Sequence, residues 1–166
     1  VTKRLLNLIM NDGDIAMDFF AGSGTLAETV LEFNREKKIN TKFVLIQLPE
    51  PLDPENINQR AAWDYCRSIG KVCNVSELTK ERLRRAAKKI KEDSSIFSDD
   101  TGFRVFKLDT SNIRAWNPQP NDLRTSLFDH LEHLEPGRSS DDILYEILLK
   151  LGLDLCVPIL TQKIAS

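Results

Sequence analysis

The run Asp18-Phe19-Phe20-Ala21-Gly22-Ser23-Gly24-Thr25-Leu26-Ala27 carries the residue types and spacing that bear most directly on chemistry in this chain. Its second half, Gly22 to Ala27, fits G-x-G-x-x-G/A. Glycines in such a loop let backbone approach a ligand where a Cβ would stand in the way, and the helix that follows aims its first amides at an anion. A plain glycine turn between a strand and a helix gives the same pattern. A phosphate-binding P-loop requires a lysine directly after its last glycine, and none follows Gly24. A nicotinamide site runs from an apolar strand straight into its first glycine and closes the second strand with an acid. Here Asp18 ends the first strand, and an aromatic pair separates it from the glycines. An acid in that place suits a cationic α-ammonium group, which favours S-adenosylmethionine over a pyrophosphate.

The elements needed to position this loop are readable on either side of it. Ile15 to Asp18 reads as a buried parallel strand, and a helix begins at the loop and runs through Leu26, Ala27, Val30 and Leu31 towards Phe33. Phe43 to Leu48 reads as a second strand, stopped by Pro49 and Pro51. Before this unit, Leu5, Leu6 and Ile9 share a helix face behind Thr2 as cap. After it, Asp53-Pro54 has the chemistry of a helix start, with Gly70 closing that helix. Another helix begins near Ser76 with Leu83, Ala86, Ala87 and Ile90 on its apolar side. A polar loop spans Asp93 to Gly102, and Phe103 to Leu108 is a third strand candidate. Trp116 to Pro120 reads as a linker, Leu123 to Leu134 as a helix, and Ser139 or Ser140 caps a last helix that ends before Gly152.

The combined motifs are more specific than the glycine loop. Asp18 to Thr25 resembles the cofactor motif of amino-methylating DNA methyltransferases. With Asn34-Arg35-Glu36, Lys42 to Glu50, Glu81 to Ile90, Gly102 to Asp109 and Asp142 to Asp154, the chain resembles the modification subunit of type III restriction–modification systems. That resemblance implies a Rossmann-like α/β fold and N6-methylation of adenine in duplex DNA. Part of a doubly wound sheet would form the cofactor-binding part, residues 1–112, and residues 113–166 would form a helical extension. Asp18, Phe19, Ala21, Gly22, Gly24 and Thr25 would surround the methionine half of S-adenosylmethionine. Gln47 stands where many relatives carry a ribose-binding glutamate, and Glu50, three residues on, is the alternative ribose contact.

In families of this arrangement the catalytic motif, Asp or Asn followed by Pro-Pro and an aromatic residue, precedes the cofactor motif. A flipped adenine stacks on that aromatic residue. All seven prolines of this chain are isolated from one another, so no catalytic residue is assigned. The expectation is a C-terminal, cofactor-binding piece of a longer cytoplasmic methyltransferase, inactive alone, with duplex DNA and a restriction subunit as partners of the parent. The competing reading is a non-catalytic nucleotide-binding or assembly module.

Composition excludes several classes. With 41% hydrophobic and 29% charged residues the chain is that of an ordinary globular protein, and no apolar run is long enough to span a bilayer. A net charge of −2 excludes bulk electrostatic binding of nucleic acid. The cations between Lys80 and Lys91 read as a solvated helix face. His130 and His133 have metal-compatible spacing but no further ligand nearby, so no metal is expected. Cys66, Cys73 and Cys156 read as free thiols. Too few strands for a complete sheet implies bare edges and self-association, with Leu144, Ile147, Leu148 or residues 103–108 at the contact.

Overall fold

The structure, a computed structural model, describes residues 1–93, 100–114 and 133–162. The chain divides into two compact units, Val1–Phe103 and Arg104–Ser166. Among the described residues there are five helices and one two-stranded parallel sheet, an α/β arrangement.

The first unit opens with α1 (Thr2–Ile9), β1 (Ile15–Asp18), α2 (Thr25–Lys37) and β2 (Lys42–Leu45). The strands pair in parallel with Ala16 opposite Phe43 and Asp18 opposite Leu45. A parallel pair needs a crossover, and α2 supplies it. The turn from α2 into β2 is pinned by Asn34. Its side chain donates to the Thr41 carbonyl at 2.7 Å and accepts from the Thr41 amide at 3.0 Å.

The core lies on two sides of α2. Val30 and Phe33, both essentially fully buried, meet Leu6 of α1 and Ala16 of β1. One turn away, Ala27 and Leu31 meet Leu83, Ala86 and Ile90 of α4 (Val75–Asp93). The i, i+3, i+7 spacing of those α4 residues is what puts them on one face. Between β2 and α4, α3 (Ile57–Ser68) is capped by Asn56, whose side chain accepts from the Asn58 amide at 2.9 Å. Asp53 instead accepts from the Glu55 amide at 2.9 Å, so the helix starts later than Asp53-Pro54 implies. Asn74 caps α4 in the same way, accepting from the Glu77 amide at 2.8 Å.

Further expectations need correction. Helix α1 has Val1, not Thr2, at its N-cap and no side-chain cap. Strand β2 ends at Leu45 rather than Leu48, so it stops before Pro49. Strand β1 is not buried: Ala16 faces the core, while Ile15 is 60% and Met17 49% exposed, because no element covers that face among the described residues. Residues 103–108 form no strand. Phe103 packs on the α2–α4 cluster, whereas Phe106 stacks edge-on against Tyr145, 5.0 Å between centroids, so the segment's side chains are drawn to separate packing sites.

In the second unit, α5 (Ser140–Lys150) begins at a capping box in which Ser139 and Asp142 satisfy each other's amides. Glu146 accepts from Ser111 Oγ at 2.5 Å and from the Asn112 amide at 2.6 Å. Arg138 donates to Asp109 at 2.7 Å. The linker expected at Trp116 to Pro120, most of the helix expected over Leu123 to Leu134, and the interior of the loop expected over Asp93 to Gly102 lie outside the described residues. No helix among the described residues is long and apolar enough to cross a membrane.

Candidate functional site

The glycine loop joins the C-terminal end of β1 to the N-terminus of α2, where the helix leaves its first amides without intrahelical partners. The sheet reaches into the loop: the Ile46 amide donates to the Asp18 carbonyl at 2.9 Å, and the Ala21 amide donates to the Ile46 carbonyl at 3.1 Å. The Gly24 amide then closes a tight turn onto the Ala21 carbonyl at 2.7 Å. Gly22 and Gly24 both have positive φ, +52° and +80°, a region that favours glycine.

Asp18 accepts the Phe20 amide on Oδ1 at 3.0 Å, a local turn that leaves Oδ2 without a partner among the described residues. Phe20 is 90% exposed and Phe19 also projects outward, so neither anchors the core. Ala21 is buried, and Thr25 is exposed at the first position of α2. Gln47 meets the loop directly: its Oε1 accepts the Gly22 amide at 2.7 Å, while its Nε2 donates to the Leu48 carbonyl at 3.0 Å. Glu50 is tied down by its backbone, whose carbonyl accepts from the Val75 amide at 3.0 Å, and its side chain is exposed. The structure therefore brings Gly22 and Gln47 into contact, and no contact joins the Glu50 side chain to the loop.

Three further residues grip the loop from α2 and α4. Thr79 donates its hydroxyl to the Gly22 carbonyl at 2.5 Å, and the Val75 carbonyl one turn back lies 3.0 Å from the same hydroxyl. A Cβ on Gly24 would fall 3.0 Å from Thr79 Cγ2. The space beside Gly24 is thus filled by α4, and close helix approach is a reason for glycine there. Arg82 donates to Glu28 at 2.6 Å, to Ser23 Oγ at 2.7 Å and to Thr25 Oγ1 at 3.2 Å. Sequence reasoning absorbed Arg82 into a solvated cationic face and passed over Thr79. The available signal was their i, i+3 spacing, on the side of α4 next to Leu83 and Ala86.

Of the other cations of α4, Arg84, Arg85 and Lys88 lie on a solvated face, whereas Lys80 is half-buried. Lys80 pairs with Glu77, Arg84 and Arg85 with Glu81, and Lys88 with Glu92. The Arg85 hydrogen bond holds the Glu81 carboxyl below its usual range. Cys66, Cys73 and Cys156 are free, and burial raises the Cys66 thiol. No group of three or more potential ligands that could hold a metal occurs among the described residues, and His130 lies outside them.

No family model matches the chain. Over 108 residues, 65% of its length, the chain is 37% identical to the Mod subunit of the Type III restriction-modification enzyme EcoP15I of Escherichia coli. It is 28% identical over 108 residues to the Mod subunit of the StyLTI enzyme of Salmonella typhimurium. The matches span only 14% and 15% of those two proteins. Over these residues the chain is similar to a segment of two Type III restriction-modification Mod subunits.

Proposed function

We propose that this chain is the S-adenosylmethionine-binding part of a DNA methyltransferase that modifies adenine N6 in duplex DNA within a restriction–modification system. The observation that carries the reading is Asp18: a carboxylate at the end of β1, beside a left-handed glycine loop, with one oxygen uncommitted. The residues fit an amino-acid zwitterion. Asp18 would receive the α-ammonium group, and the carboxylate would lie towards the α2 amides, near the Arg82 guanidinium. Phe19, Ala21, Gly22, Gly24 and Thr25 would line the methionine half, with Gln47 and Glu50 on the adenosine side. When bound, the cofactor supplies the methyl group.

The similarity to Mod subunits supports the restriction–modification setting, in which duplex DNA and a restriction subunit are the parent's partners and the cytoplasm is its place. Cofactor work is assigned to residues 1–112, a boundary of function that lies beyond the first compact unit, and residues 113–166 act as the extension. Exposed Ile15, Met17 and Val44 on the sheet, Ile46 just past it, and Ile147 on α5 support self-association through apolar contacts; Leu144 and Leu148 are only partly exposed.

Calorimetric titration of the full chain with S-adenosylmethionine tests the reading. Saturable binding that weakens at least tenfold in Asp18→Asn supports it, because the amide keeps an acceptor for Phe20 and removes only the charge. Absence of binding leaves the assembly module as the reading to pursue, with light scattering as its assay. Tritiated-methyl transfer to unmethylated DNA should stay at background for this chain, which has no acceptor-side motif.

A further inference from the structure

The Gly22 residue is held at both of its flanking peptides by side chains from two different elements. Its N–H is taken by Gln47 Oε1, just past β2, at 2.7 Å, and its C=O by Thr79 Oγ1 of α4 at 2.5 Å. The two contacts bracket a residue in the left-handed region. Gln47 is itself oriented, since its Nε2 donates to the Leu48 carbonyl at 3.0 Å, which turns Oε1 towards Gly22. Each polar end of the carboxamide thus has one partner within the chain, and Oε1 is held at the Gly22 amide.

We propose that Gln47 is a positioning residue: it sets the glycine loop through the Gly22 amide and acts on cofactor affinity through that loop, without touching the ribose. This rests on the cofactor reading above. The acceptor oxygen is the feature that matters. Gln47→Glu keeps it, and Gln47→Ala removes it and leaves the Gly22 amide to water.

The test is made on the full chain and reads two quantities. Amide hydrogen exchange at Gly22 should accelerate about two- to tenfold in Gln47→Ala, as expected for one lost neutral hydrogen bond, and less in Gln47→Glu, which keeps an acceptor but loses the donation to Leu48. S-adenosylmethionine and its 2′,3′-dideoxy analogue should both weaken by the same factor in Gln47→Ala. Unchanged Gly22 exchange in Gln47→Ala overturns the proposal. So does a loss confined to the cofactor that carries ribose hydroxyls, since that is the signature of a direct ribose contact. If wild type binds neither compound, the cofactor reading falls, and the claimed effect on binding falls with it. The exchange rates still decide whether Gln47 holds the loop.

Discussion

Gly24→Ala should destabilise the first unit more than any other Gly→Ala change in it, for two separable reasons. At φ +80° an L-residue costs about 1–2 kcal/mol relative to glycine. The new methyl would also sit 3.0 Å from Thr79 Cγ2, and forcing apart a packed contact of that kind costs roughly 1–2 kcal/mol more. The expected total is about 2–4 kcal/mol. Gly70 gives the control, because it has φ +66° but nothing within 4 Å of an added Cβ, so Gly70→Ala should show only the first cost. Urea unfolding of wild type and variants, compared at constant m, reads the difference. Thr79→Ser removes the offending methyl and keeps the hydroxyl that bonds Gly22, so in that background Gly24→Ala should lose most of its excess over Gly70→Ala. The cycle isolates one contact between neighbouring residues. Equal destabilisation of Gly24→Ala and Gly70→Ala, or an excess untouched by Thr79→Ser, refutes the claim that α4 dictates glycine here.

Thr101 is 4% exposed and its hydroxyl has no partner among the described residues, so Thr101→Val should raise stability by about 1 kcal/mol in urea unfolding; a loss would show that the hydroxyl is satisfied in solution. Arg82→Ala should cost only about 1 kcal/mol by the same assay, because Arg82 and Glu28 are 40% and 31% exposed and water screens the pair. Asp109 and Glu146 are held down to about 2, Asp109 chiefly by its hydrogen bond from Arg138 and Glu146 chiefly by Lys150 and then Ser111. Carboxyls lowered on folding contribute stability that is complete above their unfolded values near 4 and fades as pH falls towards 2. Acid unfolding of the second unit, followed by circular dichroism, should therefore begin at higher pH in wild type than it would without any group to protonate, and Glu146→Gln should flatten the dependence between pH 5 and 2. An unaltered pH profile in that variant would remove Glu146 from the account.

Strand β1 and the run of α2 were legible because an apolar tripeptide, an acid and a glycine loop fix the first, and an i, i+3, i+4 pattern fixes the second. The burial of β1 was not legible. Ile15 and Met17 are apolar whether or not an element covers them, and only the tertiary structure shows their face open. The start of α3 was a contest between two local solutions. Asp53-Pro54 and Asn56 both have capping chemistry, and Asn56 won while Asp53 served the turn before it. The segment 103–108 has the composition of a strand but no backbone partner among the described residues, and pairing is not a property of a single segment. The grip of Thr79 on Gly22 spans 57 residues, so the i, i+3 spacing of Thr79 and Arg82 marks a face of α4 without naming what that face holds.

Those long-range contacts change which residue bears the functional argument. In the G-x-G-x-x-A pattern, Gly22 is required by its left-handed backbone, Gly24 by its backbone and the nearness of Thr79, and Ala27 by complete burial against α4. Each small residue thus has a reason within the fold, and the glycines by themselves would be the same in a loop that binds nothing. Asp18 is different. The fold uses only one of its oxygens, on the Phe20 amide, and an asparagine would serve that turn as well. Under the proposed function it is therefore the carboxylate of Asp18, not the glycines, that would separate a ligand-binding loop from a structural one.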